Sequence, residues 1–413
     1  MKFPLTKIRY ITKTGTIKDT GIVFIGNVIS TLFSAIFFFI IARKLGPAKL
    51  GIYTTLVAVV MLLTDTIDIA INSSIIKFSN SNKKDAFLKF AFLMKIVIGI
   101  LLMVLLFSLS SFISVLLKQN ITVPMKYAAI LVLATFAVRF PKAYFQAHKK
   151  FSWDAQIDIG MSLLRLVLVL FLIAANLLSV ISVIGIQIAE IVIICSYWMT
   201  KIPLNFLRTS IDAQVRKVFF SFHGFLSLAF ILAAIHSRLD TFFLMRISGP
   251  AMVGYYQVGY RFYMPVITFA SVLSTVFAPR FSSYPNLGLA KKYLRKTVFL
   301  SSALAALVLV FIIFLPLAIK IFFGTDYQNS ILPAQLLAPG YFSFILGVPL
   351  ISYLIYYRGE TKFFILLNIL QLMLIVILDL LLIPKYQAVG AAVASSITLT
   401  AVNLLAGVRV LRK

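Results

Sequence analysis

The sequence predicts an all-α, polytopic membrane protein with about twelve transmembrane helices in two halves of six. Three observations lead to this fold class. Hydrophobic residues make up 61% of the 413-residue chain and charged residues only 12%, whereas a soluble protein carries about 25% charged residues. The apolar residues fall into runs long enough to cross a bilayer. A motif of the first half also recurs in the second half.

The apolar runs have the length that a helix needs to cross the hydrocarbon core, which is about 20 residues. None of them alternates polar and apolar residues as a membrane-barrel strand does. Because lipid offers no partner to backbone N–H and C=O groups, each run is predicted to be a helix. The first run is too long for a cleavable signal peptide and is predicted to be retained. The twelve predicted spans are residues 20–42, 50–74, 87–110, 124–146, 156–177, 180–200, 219–246, 251–278, 297–319, 331–356, 362–383 and 387–410.

The basic residues are distributed unevenly around these spans, and the bias sets the predicted orientation. With the N-terminus in the cytoplasm, 26 Lys and Arg residues fall on the inner side and 8 on the outer side. Both termini are therefore predicted to be cytoplasmic, in a multi-pass protein of the cell membrane. The inner basic rim is expected to attract anionic membrane lipids. The same bias accounts for the net charge of +27 without a nucleic-acid partner.

An eight-residue motif, G-P-A-x-x-G-x-Y, occurs at residues 46–53 and again at 249–256, 203 residues further on. A weaker pair supports the same period, because Gly185-x-x-x-Ala189 is followed by Gly390-x-x-x-Ala394 after 205 residues. The weaker pair alone is little evidence for a repeat, since small residues at this spacing are common where spanning helices pack. The chain is therefore predicted to be an internal duplication.

Each half would contain six spans, so both halves insert with the same orientation and the repeat axis follows the membrane normal. This is a transporter architecture, with a site near the midplane and rocking of one half against the other. The predicted domains are a cytoplasmic N-terminal segment (1–19), an N-lobe (20–200), a cytoplasmic linker (201–218) and a C-lobe (219–413).

Basic residues inside the spans are candidates for binding a phosphorylated head group. A charge inside a span costs about 2.5–3.5 kcal/mol on insertion scales, so such residues usually face a water-filled cavity. Arginine offers a planar fork that pairs with phosphate oxygens. The alternatives are snorkelling for the residues near span ends and a structural ion pair for the others. The candidates are Arg139, Arg165, Arg261, Arg238 and Lys95.

Acidic residues inside the spans are candidates for a coupling ion, either Na⁺ or a proton. Asp65 and Asp68 are three residues apart and share one helix face. Two acids on one face could bind Na⁺ or carry a proton, although Asp68 could equally sit at the cytoplasmic interface. Asp240 is four residues from His236, so these two side chains could pair. Glu190 and Asp379 have no partner that the sequence identifies.

The sequence lacks the motifs of several other functions. There is no phosphate-binding P-loop, so ATP is not expected to act directly. No Cys/His cluster suggests a metal, and no Gly-x-Ser-x-Gly elbow is present. A membrane glycan-processing enzyme would need a large polar loop with catalytic acids, and no such loop occurs. The chain is therefore predicted not to be an enzyme and to need no cofactor apart from a possible coupling ion.

Several short motifs occur in a set order over roughly residues 10–410. They include Ala42-Arg43-Lys44-Leu45-Gly46-Pro47, the Arg139 to Ala147 pattern, Gly259-Tyr260-Arg261-Phe262, Arg358-Gly359-Glu360-Thr361-Lys362 and the 384–394 segment. Together they resemble the O-antigen and polysaccharide flippase family of the multidrug/oligosaccharidyl-lipid/polysaccharide (MOP) exporter superfamily. One departure is Gln387, at a position where the family often has glycine.

This resemblance implies a two-lobed, V-shaped fold like that of the MATE transporters, working by alternating access. It implies a polyprenyl-diphosphate-linked oligosaccharide as cargo, moved from the cytoplasmic to the outer leaflet for surface polysaccharide biosynthesis. The polysaccharide polymerase machinery would then be a partner. Two alternatives lie in the same superfamily, a cation-coupled multidrug exporter and a peptidoglycan lipid-precursor flippase. The basic residues in the spans disfavour the first, and the second typically has two more helices.

Overall fold

The computed structural model describes residues 16–79 and 81–412. The side chains that it leaves undescribed within this range are those of residues 16–20, 69–70, 221–230 and 233. The predicted cytoplasmic segment 1–19 therefore lies outside the described residues except for its last four, which are helical. Over the part that is described, the protein consists of α-helices and two short 3₁₀ helices, without any strand.

Thirteen α-helices, labelled α1 to α13 in chain order, account for this part of the chain. They are α1 Thr16–Phe78, α2 Lys84–Ser108, α3 Ser110–Leu116, α4 Thr122–Ala147, α5 Phe151–Ala174, α6 Val180–Met199, α7 Ala213–His236, α8 Leu239–Ile247, α9 Pro250–Arg261, α10 Met264–Ser282, α11 Leu287–Phe323, α12 Ile331–Tyr356 and α13 Thr361–Leu411. The 3₁₀ helices are Leu204–Arg208, in the predicted linker, and Thr325–Ser330.

Two of these helices each cover two predicted spans. α1 breaks at Gly46, whose φ of 75° and ψ of 170° are not helical. α13 breaks at Gln387, which has φ 52° and ψ −127°. The break at Gly46 falls in the predicted loop between the first two spans, and the break at Gln387 falls at the first residue of the twelfth predicted span. The predicted helices on either side of each break are confirmed, and a single non-helical residue separates them instead of a loop.

Two predicted spans are wrong as continuous helices. The run 219–246 is divided between α7 and α8, and the run 251–278 between α9 and α10. In the second case Pro265 lies in the first turn of α10. Proline has no backbone N–H to donate to the preceding turn, so it suits the start of a new helix better than the middle of one.

Nine helices among the described residues are long and apolar enough to cross a membrane. Two of the nine are the broken helices α1 and α13, and at 1.5 Å per residue each is far longer than a bilayer core of about 30 Å. The all-helical, multi-pass membrane fold is therefore confirmed. The number of twelve crossings stays a prediction.

The described chain forms two compact units. The first unit comprises the residues up to Lys44, Val59–Ser114 and Ile121–Ile231. The second unit comprises Leu45–Ala58, Val115–Asn120 and the residues from Leu232 onward. The second unit thus includes two short segments from the first half of the sequence. The lobe boundaries drawn from the sequence remain a prediction.

Each unit is organised around one central helix. In the first unit α4 packs against α2, α5 and α6. In the second unit α12 packs against α10, α11 and α13. The most apolar window of each central helix is 56% buried, compared with 17–39% for the other candidate spans. The central helices correspond to the fourth and the tenth predicted spans, which are equivalent positions in the two halves.

The backbone supports the duplication independently of the motif. Eight described residues have a positive φ, four in each half of the chain. Taken in order they form the pairs Gly46 and Gly249, Lys118 and Gly324, Lys149 and Gly359, and Asn176 and Gln387. The members of each pair are separated by 203 to 211 residues. Because L-residues seldom adopt this conformation, the matching order indicates that the two halves share the same turns.

Within the second unit, the two copies of the G-P-A-x-x-G-x-Y motif pack against each other. A β-carbon built on Gly51 would lie 1.8 Å from the carbonyl oxygen of Pro250. A β-carbon on Gly254 would lie 2.1 Å from the carbonyl oxygen of Pro47. The contact is reciprocal, and the atom that a β-carbon would meet is a backbone carbonyl oxygen in both cases. Only glycine can therefore occupy these two positions without moving the chain.

The weaker repeat behaves differently in its two copies. A β-carbon on Gly390 would lie 2.5 Å from the carbonyl oxygen of Leu382. A β-carbon on Gly185 would meet nothing within 4 Å. The Gly185 and Gly390 positions are thus not equivalent in packing, so the structural repeat rests on the first motif and on the matched positive-φ turns.

We expect Gly51→Ala and Gly254→Ala each to destabilise the protein by about 1–3 kcal/mol, the cost of overpacking a close contact. The melting temperature of the purified protein in detergent, followed by gel filtration after heating, measures this loss. Gly185→Ala is the matched control and should melt at or above the wild-type temperature, since its methyl group enters open space. Equal melting of Gly51→Ala and Gly185→Ala would contradict the packing described here.

Candidate functional site

The first unit contains a network of four charged residues inside the predicted spans. Lys95 on α2 donates a hydrogen bond to Asp68 Oδ1 on α1. Arg139 Nη2 on α4 donates to Asp65 Oδ1 at 2.7 Å, and Arg139 Nη1 lies 3.6 Å from Asp68 Oδ2. We call these four residues the α1–α2–α4 network. The structure therefore brings together four of the residues that the sequence identifies as candidates.

Burial within the network is graded. Lys95 and Asp68 are 2% and 0% exposed, whereas Arg139 and Asp65 are 21% and 25% exposed. Asp68 also accepts a hydrogen bond of 2.9 Å from the Asn72 side chain. A buried charge needs both a partner and further hydrogen bonds to offset its desolvation. Asp68 is therefore the buried centre of the network, and Arg139 and Asp65 are its partly exposed members.

The sequence left two alternatives open, snorkelling of Lys95 and placement of Asp68 at the cytoplasmic interface. The structure shows neither. Lys95 does not snorkel to an interface, because its side chain is buried against Asp68. Asp68 is likewise buried rather than placed at the cytoplasmic surface. The spacing of Asp65 and Asp68 on one face of α1 explains why both acids reach the same arginine.

The second site of the first unit is an ion pair between Arg165 on α5 and Glu190 on α6. Arg165 Nε donates to Glu190 Oε1 and Oε2, both at 2.9 Å, and Nη2 also donates to Oε1. Glu190 is fully buried, whereas Arg165 is 22% exposed. The guanidinium also lies over the ring of Phe37, 5.5 Å from its centroid. A bidentate pair of this kind fixes the orientation of the arginine.

Sequence reasoning identified Arg165 but not its partner. A signal was nevertheless present, because α5 ends at Ala174 and α6 begins at Val180. Arg165 lies nine residues before the first of these positions, and Glu190 lies ten residues after the second. In two antiparallel helices joined by a short turn, residues at equal distance from the turn lie at equal depth. Opposite charges at matched depth are an indication of an ion pair.

The second unit contains a pair of acids surrounded by hydroxyl groups. Asp240 Oδ2 accepts hydrogen bonds from Tyr256 and, at 2.5 Å, from Ser395. Asp379 lies beside Asp240 and is fully buried. Among the described residues no other donor faces either oxygen of Asp379 or Asp240 Oδ1, and the two carboxyl groups lie close enough to hydrogen-bond to each other when one of them is protonated. We call Asp240 and Asp379 the acid pair.

The acid pair was only partly predictable. Asp240 was identified, but Asp379, 139 residues later, was left without a partner. His236 lies close enough to Asp240 to interact with it electrostatically, although no hydrogen bond joins these two side chains in the described part of the chain. Buried polar atoms without a partner are rare in proteins and call for an explanation, such as a bound ion.

The two remaining predicted cations, Arg238 and Arg261, also lie in the second unit. Arg238 precedes α8 and Arg261 is the last residue of α9. Both lie close enough to the Tyr260 hydroxyl to interact with it electrostatically. Tyr260 in turn packs near Tyr256 and Tyr341, with ring centroids 6.3 Å away in each case. These arginines are thus part of a tyrosine-rich region, half-buried at the ends of short helices.

We expect Glu190→Met and Arg165→Met each to cost about 3–5 kcal/mol of stability, because each leaves one charge buried without its partner. The double variant Arg165→Met/Glu190→Met should cost clearly less than the sum of the two. Melting temperatures of the four proteins in one detergent form the double-mutant cycle. Additive losses would show that the two side chains do not interact.

Comparison with known proteins places these sites in context. No curated protein sequence matches the chain significantly. Several solved structures match over nearly the whole chain, but at sequence identities that establish the fold alone. One is an inward-facing multidrug resistance MATE family transporter of the MOP superfamily, with a TM-score of 0.72 and 14% identity, covering 93% of this chain and 95% of that one.

Two further structures have other described roles. The lipid II flippase MurJ in an inward closed conformation has a TM-score of 0.76 and 15% identity, with 96% of this chain and 88% of that one covered. A MOP superfamily transporter from Pyrococcus furiosus, described as having a binding pocket of reversed polarity, has a TM-score of 0.66 and 14% identity, with 96% of both chains covered.

The sequence profile of the polysaccharide biosynthesis protein family matches residues 16–284, which is well over half of the chain. The matched region includes the α1–α2–α4 network, the Arg165–Glu190 pair and Asp240. The chain belongs to the polysaccharide biosynthesis protein family, and its fold is that of the MOP-superfamily transporters.

Proposed function

We propose that this protein is a flippase that moves a polyprenyl-diphosphate-linked oligosaccharide across the cell membrane by alternating access. The proposed direction is from the cytoplasmic to the outer leaflet, for surface polysaccharide biosynthesis. The orientation rests on the bias of 26 inner to 8 outer basic residues, with both termini in the cytoplasm. The process involves no covalent chemistry, and the translocated glycan passes to polysaccharide polymerase machinery.

One observation carries this proposal. Arg139 and Arg165 lie inside predicted spans, and about a fifth of each side chain stays exposed. Arg165 is held by the fully buried Glu190, and Arg139 by the partly exposed Asp65, with the buried Asp68 3.6 Å away. A diphosphate has to lose water on its way through the membrane, which is costly unless other donors replace that water. A fixed guanidinium fork supplies two parallel donors in the geometry that phosphate oxygens accept.

Arg139 can accommodate an anion without leaving Asp65. Guanidinium carries five N–H donors, and Arg139 makes one contact of 2.7 Å to Asp65. Its contact to Asp68 is 3.6 Å, longer than a hydrogen bond. A phosphate oxygen can compete for that donor. In the second unit Arg238 and Arg261 are the candidates for the remaining negative charge of the head group or for the glycan.

The acidic residues supply the contrast with a multidrug exporter. A pocket for cationic drugs would be dominated by carboxylates. Here the carboxylates Asp65, Asp68 and Glu190 inside the predicted spans of the first unit contact arginine or lysine. The acid pair of the second unit would bind Na⁺ or a proton and not a cationic drug. A peptidoglycan lipid precursor also carries a diphosphate, so the glycan itself has to be distinguished by experiment.

The flipping reaction is best tested with charge-neutral double variants, because they leave no unpaired buried charge. We expect Arg165→Met/Glu190→Met to lower the rate of flipping of a fluorescent polyprenyl-diphosphate oligosaccharide in proteoliposomes about 10- to 100-fold, as expected for losing one or two charge-assisted hydrogen bonds. Accessibility of the fluorophore to a membrane-impermeant quencher gives the rate. Arg139→Gln/Asp65→Asn should have a similar effect.

The matched control is Lys142→Gln/Asp158→Asn, which removes another ion pair between α4 and α5, with a distance of 2.5 Å. This control should keep its rate within about twofold of wild type. Full activity of both arginine variants would exclude the proposed head-group site. A preference for a cationic drug or a peptidoglycan precursor over the oligosaccharide lipid would favour the corresponding alternative.

We further propose that transport is coupled to Na⁺ or to protons. Asp65, Asp68 and Asp240 are the residues that the sequence suggests for this role. The first two are engaged by Arg139 and Lys95. The acid pair of Asp240 and Asp379 is the better candidate, because no other donor of the described residues faces three of its four carboxylate oxygens, all three of them buried, and the two carboxyl groups are close enough to share a proton. A carboxylate pair with neighbouring hydroxyl groups offers the oxygen ligands that a hard cation prefers.

We expect Asp379→Asn to abolish the dependence of flipping on a Na⁺ or proton gradient. The asparagine has nearly the same size but cannot bind a cation as a carboxylate does. Flipping rates with and without each gradient measure the effect. Asp326→Asn removes an exposed acid of the same unit and should leave the dependence unchanged. Persistent coupling in Asp379→Asn would rule the acid pair out.

A further inference from the structure

The first turns of α11, in the second unit, carry an exposed basic face. Lys291, Lys292, Arg295 and Lys296 are all exposed. At 100° per residue these four positions fall within about 140° of the helix circumference. We call them the α11 basic face. The face is wider than a single charged side chain and has no hydrophobic residue within it.

The opposite side of the same turns is firmly packed. Ala290 and Leu294 belong to a buried cluster that also contains Phe281 and Tyr353. Asn286 caps the helix, since its side-chain oxygen accepts a hydrogen bond of 3.0 Å from the N–H of Leu289. The basic residues are therefore held in one orientation by a core on the other side of the helix.

No acid among the described residues neutralises the α11 basic face. No Asp or Glu occurs between Asp240 and Asp326 in the sequence. Within the described part of the protein, none of the four basic residues takes part in a salt bridge. Four cations side by side repel one another. A partner from outside the chain would relieve this repulsion.

The corresponding helix of the first half shows how basic residues are used when a partner is present. Lys83, just before α2, contacts Asp212 at 2.5 Å and Gln214 at 2.7 Å. Lys89 donates to the carbonyl oxygen of Thr209 at 2.9 Å. The Lys83 contact and the N–H of Val215 hold the pKa of the Asp212 carboxyl below its usual value. These lysines thus bind the 209–214 segment of their own chain, whereas the α11 basic face binds none.

The position of the α11 basic face along the helix identifies its partner. The same side of α11 continues as a stripe of exposed apolar residues. Their exposed fractions are 78% for Phe299, 53% for Val310, 75% for Ile313 and 58% for Leu317. In a membrane-spanning helix such a stripe faces lipid chains. The four basic residues lie on the same side of the helix as this stripe and precede it, with Lys296 about one turn before Phe299. The head groups of the lipids whose chains contact the stripe lie at this level.

The length of α11 agrees with this placement. Its 37 residues extend for about 56 Å at 1.5 Å per residue, whereas the hydrocarbon core is about 30 Å thick. The turns bearing the basic face therefore emerge from the core. Their side chains reach the level of the phosphates rather than the interior of the protein, where a transported substrate would pass.

We propose that the α11 basic face binds the phosphate groups of anionic phospholipids in the adjoining leaflet. The apolar stripe holds the acyl chains, and the four cations select lipids with a net negative charge. Each basic residue close to an anionic membrane surface contributes on the order of 1 kcal/mol. This site is separate from the proposed head-group arginines and does not depend on the transported substrate.

The test uses the full-length protein in phosphatidylcholine bilayers with spin-labelled phosphatidylglycerol or phosphatidylcholine as probes. The fraction of motionally restricted label reports which lipid contacts the protein. We expect wild type to prefer the anionic probe by about twofold or more. In Lys291→Gln/Lys292→Gln/Arg295→Gln/Lys296→Gln this preference should fall clearly below the wild-type value. The restricted fraction of the neutral probe should not change, which shows that the variant is folded.

The control Lys44→Gln/Lys49→Gln/Lys118→Gln/Lys385→Gln removes the same charge from four other exposed lysines and should retain the preference. The half variants Lys291→Gln/Lys292→Gln and Arg295→Gln/Lys296→Gln should each lose part of it, and they replace the quadruple variant if that protein does not fold. A preference that survives in the α11 variants, or that falls equally in the control, would overturn the proposal. Displacement of the anionic probe by inorganic phosphate, but not by chloride at equal ionic strength, would assign the site to free phosphate instead.

Discussion

The cost of placing a charge inside the membrane governs most of what distinguishes this chain. In the first unit the cost is met by pairing, since Lys95, Arg139 and Arg165 each contact a carboxylate. Asp68 and Glu190 are fully buried, so they determine where Lys95 and Arg165 point. In the second unit the acid pair is surrounded by hydroxyl groups instead. Two ways of stabilising buried charge therefore occur in one duplicated fold, and they suit ligands of opposite sign.

Much of the fold could be predicted from the sequence, because the bilayer restricts the choices so strongly. Apolar runs of sufficient length can only be helices, and the helix positions agree with the runs almost throughout. The break at Gly46 was marked by the Gly-Pro pair. The division of the run 251–278 was missed because its hydropathy is continuous, while Pro265, which starts α10, gives only a local signal.

The candidate sites were less predictable, for a different reason. Composition shows which side chains are costly in a span, and it identified Arg139, Arg165 and Asp240 in this way. The partner of each charge depends on which helices pack together, and hydropathy carries no information about that. Arg165 and Glu190 could have been matched by their distance from one turn. Asp240 and Asp379 could not, since 139 residues and several helices lie between them.

The reciprocal contact between the two glycine motifs has a consequence for the history of the chain. Gly51 meets Pro250, and Gly254 meets Pro47. Each copy of the motif therefore uses its glycine to contact the proline of the other copy. This is the self-complementary pattern of an isologous interface in a two-fold homodimer. Such a contact would have formed between two identical six-span chains before their genes were joined. It also couples the later evolution of the copies, because a larger residue at either glycine is rejected by the backbone of the other copy.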